Sequence, residues 1–182
     1  MESILRKLEN EDGAEIAEAA MVLPLVFMFL LGIVWFGRAF NIYSTITQAA
    51  QQGAITAARP ACATCTQANP WGTTNFPNDA TVDNAIYAVM QSSSIDPTKI
   101  LPSASPGLPA CPSPPAPSGG GCTATGNNIW VCRIVQLNLP SQPAQCGTVV
   151  SFQYPFKFYL PFTSLNMEQI TLSAQAQSRM EN

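Results

Sequence analysis

One apolar run dominates the N-terminal part of the chain. Between Ala19 and Gly37 no residue is ionisable, and Arg38 is the first charge that follows. An uncharged run of about 18 or more residues can cross the ~30 Å hydrocarbon core of a bilayer as a helix. The pattern therefore predicts a polar cytoplasmic leader over 1–13 and a transmembrane helix over 14–38. Because the run is longer than the apolar core of a secretory signal, we expect it to stay as an anchor.

After this run the hydrophobic pattern becomes that of an amphipathic helix. Small or apolar residues recur every three to four positions up to Ala58, and glutamine, serine and threonine occupy the other faces. Arg59-Pro60 ends the pattern, because the residue before a proline disfavours helical geometry. The sequence thus predicts a helical stalk over 39–59 that continues the membrane helix.

The remaining residues, 60–182, predict an extracytoplasmic head of the α+β class. A second amphipathic helix is expected from Asp79 to about Ser94, because apolar residues recur at helical spacing and acids occupy its first turns. An alternation of period two then predicts three strands, which begin near Ile129, Thr148 and Ile170. Pro, Gly and Ser dominate 102–128, a composition that predicts a disordered loop. We therefore expect a small antiparallel sheet packed on the stalk and on one further helix.

Charge and composition argue against several classes of function. Only 10% of the residues are charged, the formal net charge is −3, and no block of basic residues is present. Nucleic-acid binding through neutralised phosphates is therefore unsupported. The chain contains no histidine, so it lacks the commonest general base and the commonest metal ligand. We expect no enzymatic activity, no catalytic residues, no metal site and no cofactor.

Cysteines are confined to the region after the apolar run. They are Cys62, Cys65, Cys111, Cys122, Cys132 and Cys146. An even number on one side of a membrane span is typical of disulfides formed in an oxidising compartment, although the sequence does not reveal their pairing. Cys62-Ala63-Thr64-Cys65 has the spacing of a redox motif. Because no βαβ pattern surrounds it and no histidine follows, we favour structural disulfides there.

Two short segments at the ends of the apolar run resemble a known family. Gly13-Ala14-Glu15-Ile16-Ala17-Glu18 places a glutamate five residues after a glycine, and Leu23-Pro24-Leu25 follows inside the run. Trp35-Phe36-Gly37-Arg38 closes it. In both respects the chain resembles the TadE-like family, the pseudopilins of tight-adherence (Flp-type) pilus systems. A looser likeness covers Val149–Phe156, Pro161-Phe162 and the closing strand Ser173–Glu181.

The resemblance implies a membrane-anchored, disulfide-stabilised minor pseudopilin with a pilin-like fold that supports pilus assembly or secretion. It implies processing by a prepilin peptidase between Gly13 and Ala14, with Glu18 as the acid close to the new N-terminus. Phe36, Gly37 and Arg38 would mark the outer end of the membrane helix, on the side away from the cytoplasm. The implied partners are the lipid bilayer, the prepilin peptidase, other pilins or pseudopilins and the inner-membrane assembly platform.

The resemblance and the cysteines together imply a single-pass protein of the bacterial inner membrane. Its N-terminus would face the cytoplasm and its head the periplasm. Two other functions stay open from the residues alone. One is a retained, anchored periplasmic binding module that is unrelated to pili. The other is an enzyme of the thiol–disulfide class built on Cys62 and Cys65.

Overall fold

A computed structural model of the chain describes residues 2–59, 76–112, 121–138, 142–157 and 169–179, with side chains from Glu15 onward. Within these ranges lie the helices α1 (Glu2–Ala58) and α2 (Asp79–Ser92), a 3₁₀ turn (Pro97–Lys99) and four strands. The strands are β1 (Gly121–Ala124), β2 (Trp130–Gln136), β3 (Cys146–Phe156) and β4 (Ile170–Arg179). They form one antiparallel sheet in the order β1-β2-β3-β4. This confirms the predicted α+β class with a long N-terminal helix, one further helix and an antiparallel sheet.

The chain divides into two compact units, Met1–Phe40 and Asn41–Asn182. In the first unit the large apolar side chains of α1 point outward. Exposed ones include Met21, Leu23, Met28, Ile33 and Phe36. A helix that exposes apolar side chains around its circumference needs an apolar environment, since water would oppose this exposure.

In the second unit the sheet packs one face against two helices. The later part of α1 buries one stripe of small residues and isoleucine: Ile46, Ala49, Ala50, Ala54 and Ala57. The apolar stripe of α2 consists of Val82, Ile86 and Met90. The sheet contributes Val131, Val150, Phe152, Ala174 and Ala176 to the same core. The apolar stripe of the amphipathic segment predicted over 39–59 therefore contains the residues that contact the sheet and α2.

Gly53 lets α2 approach α1 closely. A Cβ atom at this position would lie 2.7 Å from Cγ1 of Ile86 and 3.5 Å from Cγ1 of Val150. The first distance is shorter than normal carbon–carbon contact, so any larger residue must displace the Ile86 side chain. The absence of a side chain at Gly53 thus determines the spacing of the two helices at this point.

We expect Gly53→Leu to destabilise the second unit by about 1–3 kcal/mol, because the added side chain overpacks the core. The improved helix propensity of leucine, about 1 kcal/mol, offsets only part of this cost. The measurement is urea unfolding of the full chain in detergent. Gln52→Leu is the matched control, since Gln52 is exposed on the same turn. Equal midpoints for the two variants would contradict the close contact.

The opposite face of the sheet carries a second, smaller core. Here Cys132, Val135 and Val149 are buried, and Leu108 packs against them. Leu108 belongs to residues 101–112, which we call the strap. The strap begins with a backbone bridge from Leu101 to Gln153 of β3 and ends with one from Ala110 to Val135 of β2. It thus excludes water from apolar residues that helices do not cover.

The strap differs from the disordered loop predicted for 102–128. Its order has identifiable causes: the indole Nε1 of Trp130 donates a 2.8 Å hydrogen bond to the Ser103 carbonyl, and the Cys111 amide donates one of 2.9 Å to the Ile134 carbonyl. Farther on, residues 121–124 form β1. The prediction of disorder is therefore corrected for 102–112 and 121–128, and 113–120 lie outside the described residues.

Several boundaries agree with the sequence pattern. α2 starts at Asp79, after Asn78, whose side-chain oxygen accepts a 2.8 Å hydrogen bond from the Thr81 amide. The three predicted strands correspond to β2, β3 and β4. β3 continues through Pro155 to Phe156, and the predicted extension toward Leu160 lies outside the described residues.

Candidate functional site

The predicted processing junction lies within helix α1. The backbone of Gly13 and Ala14 is helical, as are the residues on both sides. The side chain of Glu18 is exposed on the same helix, one turn beyond the predicted cut. The structure therefore places the glycine and the glutamate on one continuous helix that leads into the apolar run.

The segment after this junction has the properties of a membrane span. Among the described residues one helix, Glu15–Ala58, is long and apolar enough to cross a bilayer by length and composition. Its most apolar 18-residue window has a mean hydropathy of 2.5, and none of that window is buried within the protein. Full exposure separates it from the core helix of a water-soluble domain, which is mostly covered by its own chain.

The far end of the apolar run combines aromatic residues with a cation. The guanidinium carbon of Arg38 lies 5.8 Å from the ring centroid of Trp35, within the range of a cation–π contact. Phe36 and Phe40 are exposed beside them. Aromatic rings and snorkelling arginines are typical of the boundary between hydrocarbon and head groups. This arrangement fits the predicted boundary at Phe36, Gly37 and Arg38.

Four of the six cysteines form two disulfides in the described head. Cys122 of β1 pairs with Cys132, directly opposite on β2, with 3.9 Å between their Cα atoms. Cys111 pairs with Cys146, joining the end of the strap to the start of β3 across 5.7 Å. The predicted structural disulfides are thus present at these four positions. Cys62 and Cys65 lie outside the described residues.

A bulge in β2 directs an arginine toward the start of α2. The register of β2 on β3 shifts between Cys132 and Val135, and Ile134 has a φ of 53°, in the left-handed region. From this bulge, Arg133 Nη1 contacts the Asp79 carboxylate at 2.6 Å, and Nη2 donates a 2.9 Å hydrogen bond to the Pro77 carbonyl. The arginine therefore fixes the N-terminus of α2 on the sheet. Asp79 was expected only to favour the helix dipole, and its partner across the fold could not be read from the sequence.

Asp83 is the most deeply buried carboxyl group among the described side chains. Asn127, in the turn between β1 and β2, donates a 2.7 Å hydrogen bond to its Oδ2 atom. The Oδ1 atom is buried without a hydrogen-bond partner. Burial raises the pKa of Asp83 above its ordinary value of 3.8, and the bond from Asn127 opposes this shift without cancelling it. Ionised Asp83 is therefore a cost to the fold at neutral pH.

The raised pKa of Asp83 predicts the direction in which stability changes with pH. Because the pKa of Asp83 is raised in the folded state, the contribution of its neutral carboxyl group to stability is fully present below pH 3.8. This contribution is lost as pH rises through the folded pKa. We expect the unfolding free energy of Asp83→Asn, relative to the native chain, to increase as pH rises from that value toward neutrality. Urea midpoints of both chains across this pH range measure the effect.

Asp96 provides a control with the opposite sign. Hydrogen bonds from the Thr98 hydroxyl and amide lower the pKa of this exposed carboxyl group below 3.8. The contribution of the ionised Asp96 carboxylate to stability is therefore present above pH 3.8. It is lost as pH falls through the lower folded pKa. Parallel pH profiles for the native chain and Asp83→Asn would contradict the assigned cost of burial.

The geometry does not assemble a catalytic constellation from the described side chains. Within those residues there is no group of three or more Cys, Asp or Glu side chains that could hold a metal ion. Asp79 is paired with Arg133, and Asp83 is bonded to Asn127 inside the protein. These carboxylates connect elements of the fold. What the chain presents outward is an exposed apolar helix with a glycine–glutamate junction at one end and an aromatic–arginine boundary at the other.

The candidate span and the disulfide-stabilised head define a class, a membrane-anchored α+β protein. A family model described as TadE-like protein matches residues 13–54. The matched segment begins at Gly13 and includes Glu18, Phe36, Gly37 and Arg38, so the predicted resemblance is confirmed over this part of the chain. The looser likeness of the C-terminal half lies outside the match. No curated protein and no solved structure matches the chain.

Proposed function

We propose that this protein is a minor pseudopilin of a tight-adherence pilus system, inserted in the bacterial inner membrane with its head in the periplasm. The observation that carries the proposal is the coincidence of three features on one helix. The TadE-like match begins at Gly13, the apolar span follows directly, and every cysteine lies beyond the span. An oxidising compartment on the far side of the membrane accounts for the disulfides of the head.

The proposed processing step is cleavage between Gly13 and Ala14 by a prepilin peptidase. A protease needs an extended chain, whereas the backbone at Gly13 is helical. Glycine favours helix less than alanine does by about 1 kcal/mol, so unwinding is easiest at this residue. Glycine also allows the backbone to enter a protease cleft closely, because it carries no side chain.

Glu18 has a role in this proposal after the cut. Cleavage creates an α-amino group on Ala14, and this cation would stand close to the membrane surface. An acid at the edge of the bilayer is costly unless it is paired. We propose that Glu18 pairs with the new α-amino group of a neighbouring subunit or of its own helix, which would set the axial register of packed helices, as single polar positions do in coiled coils.

The remaining parts of the proposal concern partners and chemistry. The pseudopilin would contact the peptidase, other pilins or pseudopilins and the inner-membrane assembly platform, and it would act without enzymatic activity. The absence of histidine and the structural use of Asp79 and Asp83 support a non-enzymatic role.

The test of the proposal is mass spectrometry of the intact protein purified from its own membranes. A mature chain that begins at Ala14 supports the pseudopilin. A chain that begins at Met1 or Glu2 contradicts the processing step and favours a retained anchor with a periplasmic binding head. Thiol labelling of the same sample tests the redox alternative, since cycling of Cys62 and Cys65 would be required for a thiol–disulfide enzyme.

A further inference from the structure

Strand β3 runs antiparallel to the part of α1 on which the sheet packs. Two contacts fix this direction. A Cβ atom at Gly53 would lie 3.5 Å from Cγ1 of Val150, in the middle of β3. Farther along α1, Ala58 packs against the same small buried cluster as Cys146, the first residue of β3. Residue numbers therefore rise along the helix as they fall along the strand, and β3 runs toward the end of the head where α1 enters it.

The lengths of the two elements show how far β3 reaches. Phe156 is six residues beyond Val150, which is about 20 Å at roughly 3.3 Å per strand residue. Asn41, the first residue of the second unit, is twelve residues before Gly53, which is about 18 Å at roughly 1.5 Å per helical residue. The last pair of the β3–β4 ladder, Phe156 with Ile170, therefore lies at the end of the head where α1 enters.

Chain connectivity brings this end of the head close to the membrane. Arg38, in the aromatic–arginine boundary, precedes Asn41 by three residues of one continuous helix, about 5 Å of axial rise. The polar head-group layer beyond the hydrocarbon core of a bilayer is itself roughly 5–8 Å thick on each side. The head therefore begins at the depth of the lipid head groups, with no linker that would separate it from them.

Three exposed side chains at this end have the composition of a membrane interface. Tyr43 of α1 and Ile170 of β4 are each 47% exposed, and Lys157 is exposed directly after β3. Tyrosine is enriched at head-group level, isoleucine favours hydrocarbon, and lysine keeps its stem in apolar surroundings while its ammonium group reaches the polar layer. We call Tyr43, Lys157 and Ile170 the base of the head.

Charge favours a phospholipid surface as the occupant of the base. Among the described side chains the ion pairs are Lys99–Asp96 and Arg133–Asp79, and Lys157 belongs to neither. Its ammonium group is therefore available to an anion, and every phospholipid head group carries a phosphate. Anionic lipids strengthen such a contact, because a negatively charged bilayer surface attracts lysines close to it.

We propose that the base of the head is seated on the surface of the bilayer that holds α1. Tyr43 and Ile170 lie at head-group level, and Lys157 binds lipid phosphate. The contact continues the apolar surface of the span into the head and holds the head at a fixed height above the membrane. It requires α1 to be anchored, but it requires neither cleavage after Gly13 nor a pilus partner.

Fluorescence quenching by a spin-labelled lipid tests the seating. The full chain is placed, one copy per nanodisc, in phosphatidylcholine and phosphatidylglycerol with a nitroxide on some head groups. The described native cysteines are all in disulfides, so an added thiol can carry the fluorophore. Thr171→Cys puts it beside the base, and Gln177→Cys, exposed on the same face of β4, is the control about 20 Å farther along the strand. We expect severalfold stronger quenching for Thr171→Cys.

Changes in the base show whether it holds the head on the lipid. In the Thr171→Cys chain, Lys157→Glu places an acid among lipid phosphates, and Ile170→Ser removes apolar surface. We expect each to lower the quenching severalfold, and the loss in Lys157→Glu should be larger with phosphatidylglycerol than in phosphatidylcholine alone. Arg179→Glu makes the same change of charge at the far end of β4 and should leave the quenching unchanged. Native urea midpoints verify that each variant is folded.

Three results would overturn the proposal. One is equal quenching of the labels at Thr171→Cys and Gln177→Cys. Another is quenching that Lys157→Glu and Ile170→Ser both leave unchanged, because the base would then take no part in the contact. The third is quenching of the Thr171→Cys label in crowded vesicles but not in nanodiscs that hold one copy, which would assign this end of the head to a second copy. Cleavage after Gly13 is read from the mass of the native chain, so either proposal can fail without the other.

Discussion

Gly13→Leu should leave the protein 13 residues longer than the processed native chain. The leucine side chain prevents close entry of the backbone into the peptidase cleft, and it strengthens the helix that must unwind there. We expect cleavage to fall below detection, so that the intact mass corresponds to the uncut chain. The measurement is mass spectrometry of the protein from membranes that contain the native assembly machinery.

Gly32→Leu provides the matched control for this effect. Gly32 lies on the same helix, and no atom outside its own helical turn approaches within 4 Å of a Cβ atom built there. A leucine at this position should therefore insert into the membrane and be processed as usual. Normal processing of Gly13→Leu, or equal loss in both variants, would contradict a specific cut after Gly13.

Loss of the Cys111–Cys146 disulfide should be the largest stability change in the head. The cross-linked residues are 35 positions apart, compared with 10 for Cys122–Cys132. On the chain-entropy account these separations correspond to about 4 and about 3 kcal/mol. Cys111 also fastens the strap over its small core, so its loss releases apolar residues to water as well.

The comparison requires two double variants, Cys111→Ala/Cys146→Ala and Cys122→Ala/Cys132→Ala. Urea unfolding of the full chain in detergent should show the lower midpoint for the first. The second variant is the control, because each pair removes one buried and one half-buried cysteine, and the second leaves the strap fastened. A lower midpoint for Cys122→Ala/Cys132→Ala would contradict the importance of the longer cross-link.

The outlying elements of the head show where sequence patterns fail. β1 has only four residues, too few for a clear pattern, and it follows a segment rich in Gly, Pro and Ser. It becomes a strand because β2 and the Cys122–Cys132 disulfide hold it in register. The strap is ordered in the same way, since the Trp130 side chain and the disulfide to Cys146 hold a proline-rich segment that has little structural preference of its own.

Buried polar contacts show the same limit. The acids of α2 favour the start of a helix wherever the helix lies, so their spacing along the chain gives no information about partners. The bulge at Ile134 directs Arg133 to Asp79, and the turn between β1 and β2 places Asn127 beside Asp83. Both partners are more than forty positions distant in the chain.

The sequence by itself determined the features that depend on local patterns. The apolar run with its Gly13–Glu18 and Phe36-Gly37-Arg38 ends, the start of α2, and strands β2 to β4 follow from charge, hydrophobic period and turn residues, which act within a few positions. Tertiary structure alone decided the disulfide pairing, the order of the strap, and the partners of Asp79 and Asp83. These depend on which distant segments meet, and this is determined by packing of the whole head.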